Sequence, residues 1–516
     1  MQKFKAQLFD DVPDKYSTCA HTKTASLAQI LSPGSRGVPN LIMLFLLIVL
    51  LLGCKEKAFS EKPKPNVLFI AIDDLNNDLG VLGVDHVYTP NLDRFSEGAR
   101  LFSRHYIQVP SCGPSRAALL SGKRPVDERF LPNNAMLNTH EEWGYQSLPR
   151  WFRDHGYKTL SLGKITHYPG GLAGAGWAEG PKELPGAWNR SWVPEDAPWE
   201  TPEDMMHGYA NGVPRDRGNS PTWEAYDGPD TSYPDGWVAE EAMRVLGELK
   251  DADEPWFFGV GFFKPHLPFA APKKYFDMYD PYGIPVPEDT VRHPAPSSWH
   301  ASGEMMGNYG QHPGNPQVDE AYARQLRLAY SAATTYVDAQ VGKVLDAHSR
   351  LGLDENTIVV IWSDHGFALG HQGTWGKHSL YEIALKSPLI ISYPGMKGPG
   401  EVSEAIVEAV DIYPTLTDLA GISTPEGLHG KSLRPQLQDP HAASSKPAFG
   451  FFGGGQTSVR VNDWRLIMHR DGEEILGYEL FDFRSNPEGV KLDPDEHPTV
   501  VKDLSEHFNT LPWISR

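Results

Sequence analysis

Cysteine is scarce, basic residues are outnumbered and only one long apolar run occurs, and each shortage narrows the function. Three cysteines in 516 residues exclude a disulfide-built scaffold, which needs a dense set of them. Lys and Arg number 47 against 66 Asp and Glu, a formal net charge of −19. Bulk charge therefore does not draw this chain to a phosphate backbone, and no nucleic-acid partner is expected. No internal repeat is visible. What remains is globular: 40% hydrophobic and 22% charged residues, with 49 Gly and 44 Pro, which is enough apolar surface for a large core. If the substrate is an anion, local cations must create an attractive pocket against this global field.

The apolar run, residues 41–52 (LIMLFLLIVLLL), is too short to span a bilayer and matches a signal-peptide h-region. Leu51-Leu52-Gly53-Cys54 resembles the bacterial lipoprotein box, in which the cysteine carries lipid and becomes the mature N-terminus. A polar stretch, 55–64, follows as a tether. The expectation is an exported chain, periplasmic or at the cell surface, held to the membrane only through lipid at Cys54. An ordinary secretory signal is the alternative. The segment before the run is longer than a usual n-region, which leaves open a translation start downstream of Met1. Cys19 then leaves with the leader, Cys54 is lipidated, and Cys112 is the only thiol left in an oxidising compartment. A lone cysteine there asks for a reactive role.

Four apolar runs read as buried strands of a parallel sheet, and each ends in polar groups capable of chemistry. Residues 66–72 (NVLFIAI) run into Asp73-Asp74, and 158–162 (KTLSL) into Gly163-Lys164 and then His167. Residues 256–263 (WFFGVGFF) run into Lys264-Pro265-His266, and 357–362 (TIVVIW) into Ser363-Asp364-His365-Gly366. Ligands of open α/β sheets bind beyond the carboxyl ends of the strands, so the four tails are expected to converge. Helical patterns fall at 92–98, 115–120, 147–154, 235–249, 320–351 and 411–420, and the alternation is an α/β signature. Two stretches, 168–234 and 281–316, lack periodicity and read as elaborated loops over a site. Their Trp177, Trp188, Trp192, Trp199 and Trp223 either stack on sugar faces or pin the loops to the body. After about residue 440 the pattern changes to short strands and turns. The expected plan is a leader (1–53), a tether (54–65), a catalytic domain (66–440) and a smaller C-terminal subdomain with antiparallel strands (441–516).

The sharpest motif is Cys112-Gly113-Pro114-Ser115-Arg116, followed by Leu119-Leu120-Ser121-Gly122-Lys123-Arg124. Physically it sets a cysteine at the start of a helix, where free N–H groups and Arg116 favour a neighbouring negative charge. It resembles the signature of the formylglycine-dependent sulfatases, whose cysteine a maturation enzyme oxidises to formylglycine (3-oxoalanine). The resemblance covers about residues 66–486 and implies the alkaline phosphatase-like α/β fold, a large, mostly parallel sheet flanked by helices. It places Asp73, Asp74, Asp364 and His365 around one divalent cation, with the modified Cys112 facing it. An oxygen-rich set of this kind favours Ca²⁺. Asp364-His365-Gly366, the Gly163-Lys164-x-x-His167 spacing and Lys264-Pro265-His266 are similar to the iduronate 2-sulfatase branch. Alone, Asp73-Asp74 or Asp364-His365 is equally compatible with a simple turn.

By the same resemblance, a hydrated formylglycine at 112 is the nucleophile, a two-step covalent route. His266 with Lys377 protonates the departing sugar oxygen, and His167 then assists release of sulfate. Arg116, Lys164 and Lys377 neutralise the sulfate oxygens. His105, His371 and His378 are expected to be non-catalytic. The implied partners are a sulfated glycan, carrying 2-sulfated uronate in a glycosaminoglycan or algal polysaccharide, and a formylglycine-generating maturation enzyme. The alternatives are a phosphonate or phosphodiester hydrolase of the same superfamily and a catalytically dead glycan-binding lipoprotein.

Overall fold

A computed structural model describes residues 63–511, except 144–145, 174–175, 178–179, 300–302 and 445. The apolar run 41–52, Cys54 and the tether up to residue 62 lie outside the described residues. The four apolar runs form the middle of one eight-stranded sheet. Its strands are β1 (Asn66–Asp73), β2 (Arg100–Phe102), β3 (Lys158–Gly163), β4 (Arg190–Trp192), β5 (Trp256–Pro265), β6 (Thr357–Ser363), β7 (Leu389–Ser392) and β8 (Val402–Ser403). They lie in the order β8-β2-β7-β6-β1-β5-β3-β4. β1 pairs in parallel with β5 and β6, and β3 in parallel with β4 and β5, whereas β7 runs antiparallel to β6.

A strand buried on both faces has no reason to alternate in polarity, and β5 is buried at every position. On one face, Leu68, Ile70 and Ile72 of β1 share a core with Val238, Leu246 and Val341. These last come from α2 (Pro234–Leu249) and α3 (Glu320–Arg350). On the other face, Val67, Phe69 and Ala71 pack with Leu119 of α1 (Cys112–Ser121) and Ile412 and Leu416 of α4 (Ile412–Ala420). α1 begins three residues before the periodicity indicates, so Cys112 is its first residue.

The short strands β2, β4, β7 and β8 escape sequence reading because two to four residues carry no periodicity, and their pairing partners alone make them strands. The aperiodic stretch 168–234 contributes β4 to the sheet edge and carries a strand, Trp223–Tyr226, that pairs with Phe269–Pro272. All five tryptophans make contacts with the body. Trp192 and Trp199 are buried, Trp188 packs on the core, Trp223 packs on Phe276, and Trp177 donates its indole N–H to the Trp199 carbonyl.

Residues after 447 form an antiparallel sheet in sequence order: β9 (Ala448–Phe452), β10 (Gln456–Val461), β11 (Trp464–Asp471), β12 (Glu474–Asp482) and β13 (Val490–Leu492). A buried ionic knot fastens it to the main body. Glu382 accepts from Arg465 of β11 at 2.7 Å and from the Tyr106 hydroxyl at 2.8 Å, with Arg460 of β10 at 3.5 Å. Burial alone would raise the Glu382 carboxyl, but Arg465 and Arg460 outweigh it and hold it at about 2, against an ordinary 4.5.

Removing one member of such a knot strands buried charge, so Glu382→Gln should cost about 3–5 kcal/mol of stability. Because the folded value is depressed, the contribution is present above the ordinary carboxylate range and is lost as pH falls toward 2. Urea midpoints of wild type and Glu382→Gln, measured from neutral pH downward, should therefore converge in acid. A gap that stays constant with pH would exclude this account.

Candidate functional site

The tails of β1, β3, β5 and β6 and the first turn of α1 meet at one end of the sheet. β1 turns sharply after Asp73, with Asp74 in the left-handed region at φ 62°. The turn is laced to β6: the Asp74 N–H donates to Asp364 Oδ1 at 3.0 Å, and the Leu75 N–H to Ser363 Oγ at 3.0 Å. α1 comes close because Gly113 has no side chain, since a Cβ there would lie 2.2 Å from the Asn133 carbonyl oxygen. Gly122, at φ 66°, closes its last turn.

The side chains at this junction are ionic and fully buried. Arg116 donates from Nε to Asp364 Oδ2 at 2.9 Å and from Nη2 to Asp73 Oδ1 at 3.0 Å. Lys164 Nζ bonds Asp73 Oδ2 at 2.5 Å. Lys377 Nζ lies 3.1 and 3.2 Å from the two Asp74 oxygens and 3.3 Å from Cys112 Sγ. His365 Nε2 is also 3.3 Å from Sγ, and its Nδ1 faces the Gly366 carbonyl at 2.9 Å. Burial would raise the Asp73 carboxyl, but Lys164, His266 and Arg116 hold it well below the usual range. Burial and then the Asp73 charge push the Cys112 thiol well up, so the unmodified side chain is a neutral thiol and a poor nucleophile.

All five residues expected to hold a metal come together. One donor atom each from Asp73, Asp74, Cys112 and His266 lie within 4.8 Å of one another, as do those of Cys112, Asp364 and His365. The donors suit a hard divalent cation, being rich in carboxylate oxygen. Burial raises the Asp74 and Asp364 carboxyls even with Lys377 and Arg116 beside them, and a cation would relieve that penalty.

Cys112 lies at the edge of a cleft of about 430 Å³ that His167, His266 and Lys377 also line. His167 and His266 are both held well below the ordinary histidine value, by burial first and then by Lys164 and Lys377 respectively. Arg116 and Lys164 are not on the cleft wall. They sit on the carboxylates, because a buried carboxylate without a partner costs more than a long side chain bent inward.

The cleft has members that sequence reading missed. Glu304 binds Lys377 at 2.8 Å and lies 3.7 Å from His266 Nε2. Arg215 is fixed against Glu203 and the Tyr309 ring, and Arg217, exposed on the same wall, makes no ion pair among the described residues. The His207 ring packs on His266 with centroids 5.0 Å apart. These residues lie in the two aperiodic stretches, where no motif marks them, although a run of Arg and His in a predicted loop over an anion site is a signal. His378, expected to be non-catalytic, lines the cleft as well, whereas His105 and His371 are buried in structural contacts.

This sheet, with a cysteine-headed helix and a carboxylate cluster at its end, has the alkaline phosphatase-like fold. The family model described as Sulfatase matches residues 65–422, and that of the C-terminal part of N-sulphoglucosamine sulphohydrolase matches residues 370–512. The chain belongs to the sulfatase family and is a sulfuric ester hydrolase. It is 31% identical over 467 residues to a sulfatase of Formosa agariphila, covering 86% of each chain. It is 31% identical over 430 residues to iduronate 2-sulfatase of Homo sapiens, covering 76% of this chain and 75% of the relative. Among solved structures, a phosphonate monoester hydrolase from Silicibacter pomeroyi shares the fold with TM-score 0.66 at 23% identity, covering 86% of this chain and 94% of its own. The 2-O GAG sulfatase BT1596 does so with TM-score 0.62 at 23% identity, covering 87% and 91%.

A buried, neutral thiol should resist alkylation. Unmodified Cys112 in the folded chain is expected to react with iodoacetamide at pH 8 at least about tenfold more slowly than in urea, as read by peptide mass mapping. Equal rates in the two conditions would contradict the burial described.

Proposed function

We propose that the chain is an exported carbohydrate sulfatase of iduronate 2-sulfatase type, acting on a sugar that bears a carboxylate beside its 2-sulfate. In this reading Cys112 is converted to formylglycine, Ca²⁺ is held by Asp73, Asp74, Asp364 and His365, and lipid at Cys54 anchors the protein. Residues 66–440 would carry the chemistry, with 441–516 as a supporting subdomain. The observation that carries it is the cleft: a cysteine beside a carboxylate cluster, under a wall whose one guanidinium without an ion pair among the described residues, Arg217, faces the same space. The 31% identity to iduronate 2-sulfatase supports the same substrate class. An ulvan-active sulfatase of Formosa agariphila, 29% identical over 486 residues, keeps algal glycans among the candidate sources.

Hydrated formylglycine supplies two hydroxyls on one carbon, one to take the sulfate and one to expel it, which the buried thiol cannot do. Calcium supplies a fixed positive charge that favours an ionised oxygen and balances the sulfate. The chain's own residues do the rest. Arg116 and Lys164 hold Asp73 ionised, and Arg116 fixes Asp364 in place. Lys377 keeps its proton, because Asp74 and Glu304 outweigh burial, and so presents a constant charge to sulfate oxygens. His266 Nδ1 lies 2.7 Å from the Leu267 carbonyl, so in the neutral ring the proton sits there and Nε2 faces the cleft. An arriving dianion raises the proton affinity that burial and Lys377 lower, which readies Nε2 to protonate the leaving oxygen. His167, kept neutral, is placed to accept a proton during sulfate release.

Protein produced with a formylglycine-generating enzyme should carry an aldehyde at residue 112 by peptide mass and release sulfate from 2-sulfated unsaturated uronate disaccharides. Arg217→Ala should raise KM for that disaccharide about tenfold while changing KM for an aryl sulfate, which lacks the carboxylate, by less than about twofold. An active enzyme that cleaves aryl phosphodiesters faster than any sulfate ester would turn the assignment toward the phosphonate and phosphodiester hydrolases. In the native host, Cys54→Ala should move the protein from the membrane to the soluble fraction, and unchanged fractionation would remove the lipid anchor from the proposal.

A further inference from the structure

Lys264 is an unusual residue to find at the end of a core strand. It is 1% exposed and is not among the residues that line the cleft, yet its ammonium is buried at a cost that an apolar residue would avoid. Its three donors explain its presence. Nζ donates to the His266 carbonyl at 3.0 Å and to the Pro268 carbonyl at 2.7 Å, one on each side of the turn that presents the His266 ring.

The same turn is held from the other side by Asp235, in the first turn of α2 and fully buried. Its Oδ1 accepts the Phe263 N–H at 2.7 Å and its Oδ2 accepts the Lys264 N–H at 2.8 Å. Within the turn, the His266 N–H donates to the Phe263 carbonyl at 3.0 Å, and the ring is pinned by its 2.7 Å contact with the Leu267 carbonyl. Four backbone groups at the end of β5 are thus taken by two side chains that touch nothing reacting. The ring has one way to point, with Nε2 toward Glu304 and the cleft.

We propose that Lys264 and Asp235 are positioning residues for His266, an ionic clamp that fixes where its Nε2 meets the departing sugar oxygen. The inference rests on the reading of His266 as the group that protonates that oxygen. The clamp acts on a single step. A sugar alkoxide is a poor leaving group and needs a proton delivered in line, whereas an aryl oxide departs without one. Displacing Nε2 by a fraction of an ångström therefore penalises sugar esters and spares aryl esters. General loosening of the fold penalises both alike.

The test compares wild type, Lys264→Gln, Asp235→Asn and His266→Ala, all carrying the aldehyde at 112, on two substrates. One is a 2-sulfated unsaturated uronate disaccharide, with a simple alkyl sulfate as the equivalent where that sugar is not accepted. The other is 4-nitrocatechol sulfate. Lys264→Gln and Asp235→Asn should each lower kcat on the first substrate about 10- to 100-fold, with KM within about threefold, and lower kcat on the aryl ester at least about fivefold less. His266→Ala should show the same split, more strongly. Equal fractional losses on both substrates in the two clamp variants, with the split intact in His266→Ala, would overturn the clamp alone. Equal losses in His266→Ala itself would overturn the leaving-group reading, and the clamp with it. Thermal melts identify a variant that has not folded, and the two clamp positions stand in for one another in that case.

Discussion

Arg116 bridges Asp73 and Asp364 with both ends of one guanidinium, in a place where none of the three side chains meets solvent. Asp73 ends one central strand, Asp364 follows its neighbour, and Arg116 sits in the first turns of the helix headed by Cys112. The bridge therefore decides the distance between Cys112 and the carboxylate cluster. Two N–H groups of one rigid plane, each donated to a different carboxylate, make it directional, and burial makes it costly to break. Lys164 and Lys377 extend the same logic outward, Lys164 on Asp73 and Lys377 on Asp74 and Glu304. The result is an interior ionic lattice whose charges nearly cancel and whose outermost cation, Lys377, touches both the cysteine and the cleft.

Around this lattice the protein uses two kinds of cation for two purposes. Buried ones pin carboxylates in place. Those on the cleft wall, Lys377, Arg215 and Arg217, face the space an anionic sugar would occupy, which answers how a chain with a net charge of −19 meets a sulfate. Glu203 and Glu304 temper that wall by fixing Arg215 and Lys377 in place. The C-terminal sheet takes part through another buried knot, at Glu382, so the body and the added sheet share one rigid frame.

Much of this was legible in the residues. Four apolar runs with polar tails indicated the central strands to within one or two residues, because a strand buried on both faces declares itself by continuous hydrophobicity. The tails then converged, as parallel strands with ligands at their carboxyl ends must. The short strands were not legible, since β2, β4, β7 and β8 become strands only through the neighbours they pair with. Nor was the division of labour among Arg116, Lys164 and Lys377. All three read as cations for sulfate, and only packing showed two of them turned inward onto carboxylates.

The sequence by itself determined the family, the cysteine at the helix start and the residue types around it, because these are carried by short motifs with fixed spacing and by strand-end position. Tertiary structure alone decided which of them line the cleft and which lie beneath it. It also recruited Glu304, His207 and Arg217 from stretches without periodicity. The physical reason is that a motif encodes local geometry, whereas the cost of burying a charge is settled by what folds against it from far along the chain. Lys264 illustrates the difference: in sequence it is one letter beside a histidine, and in the fold it is a buried ammonium on the carbonyls that hold that histidine still.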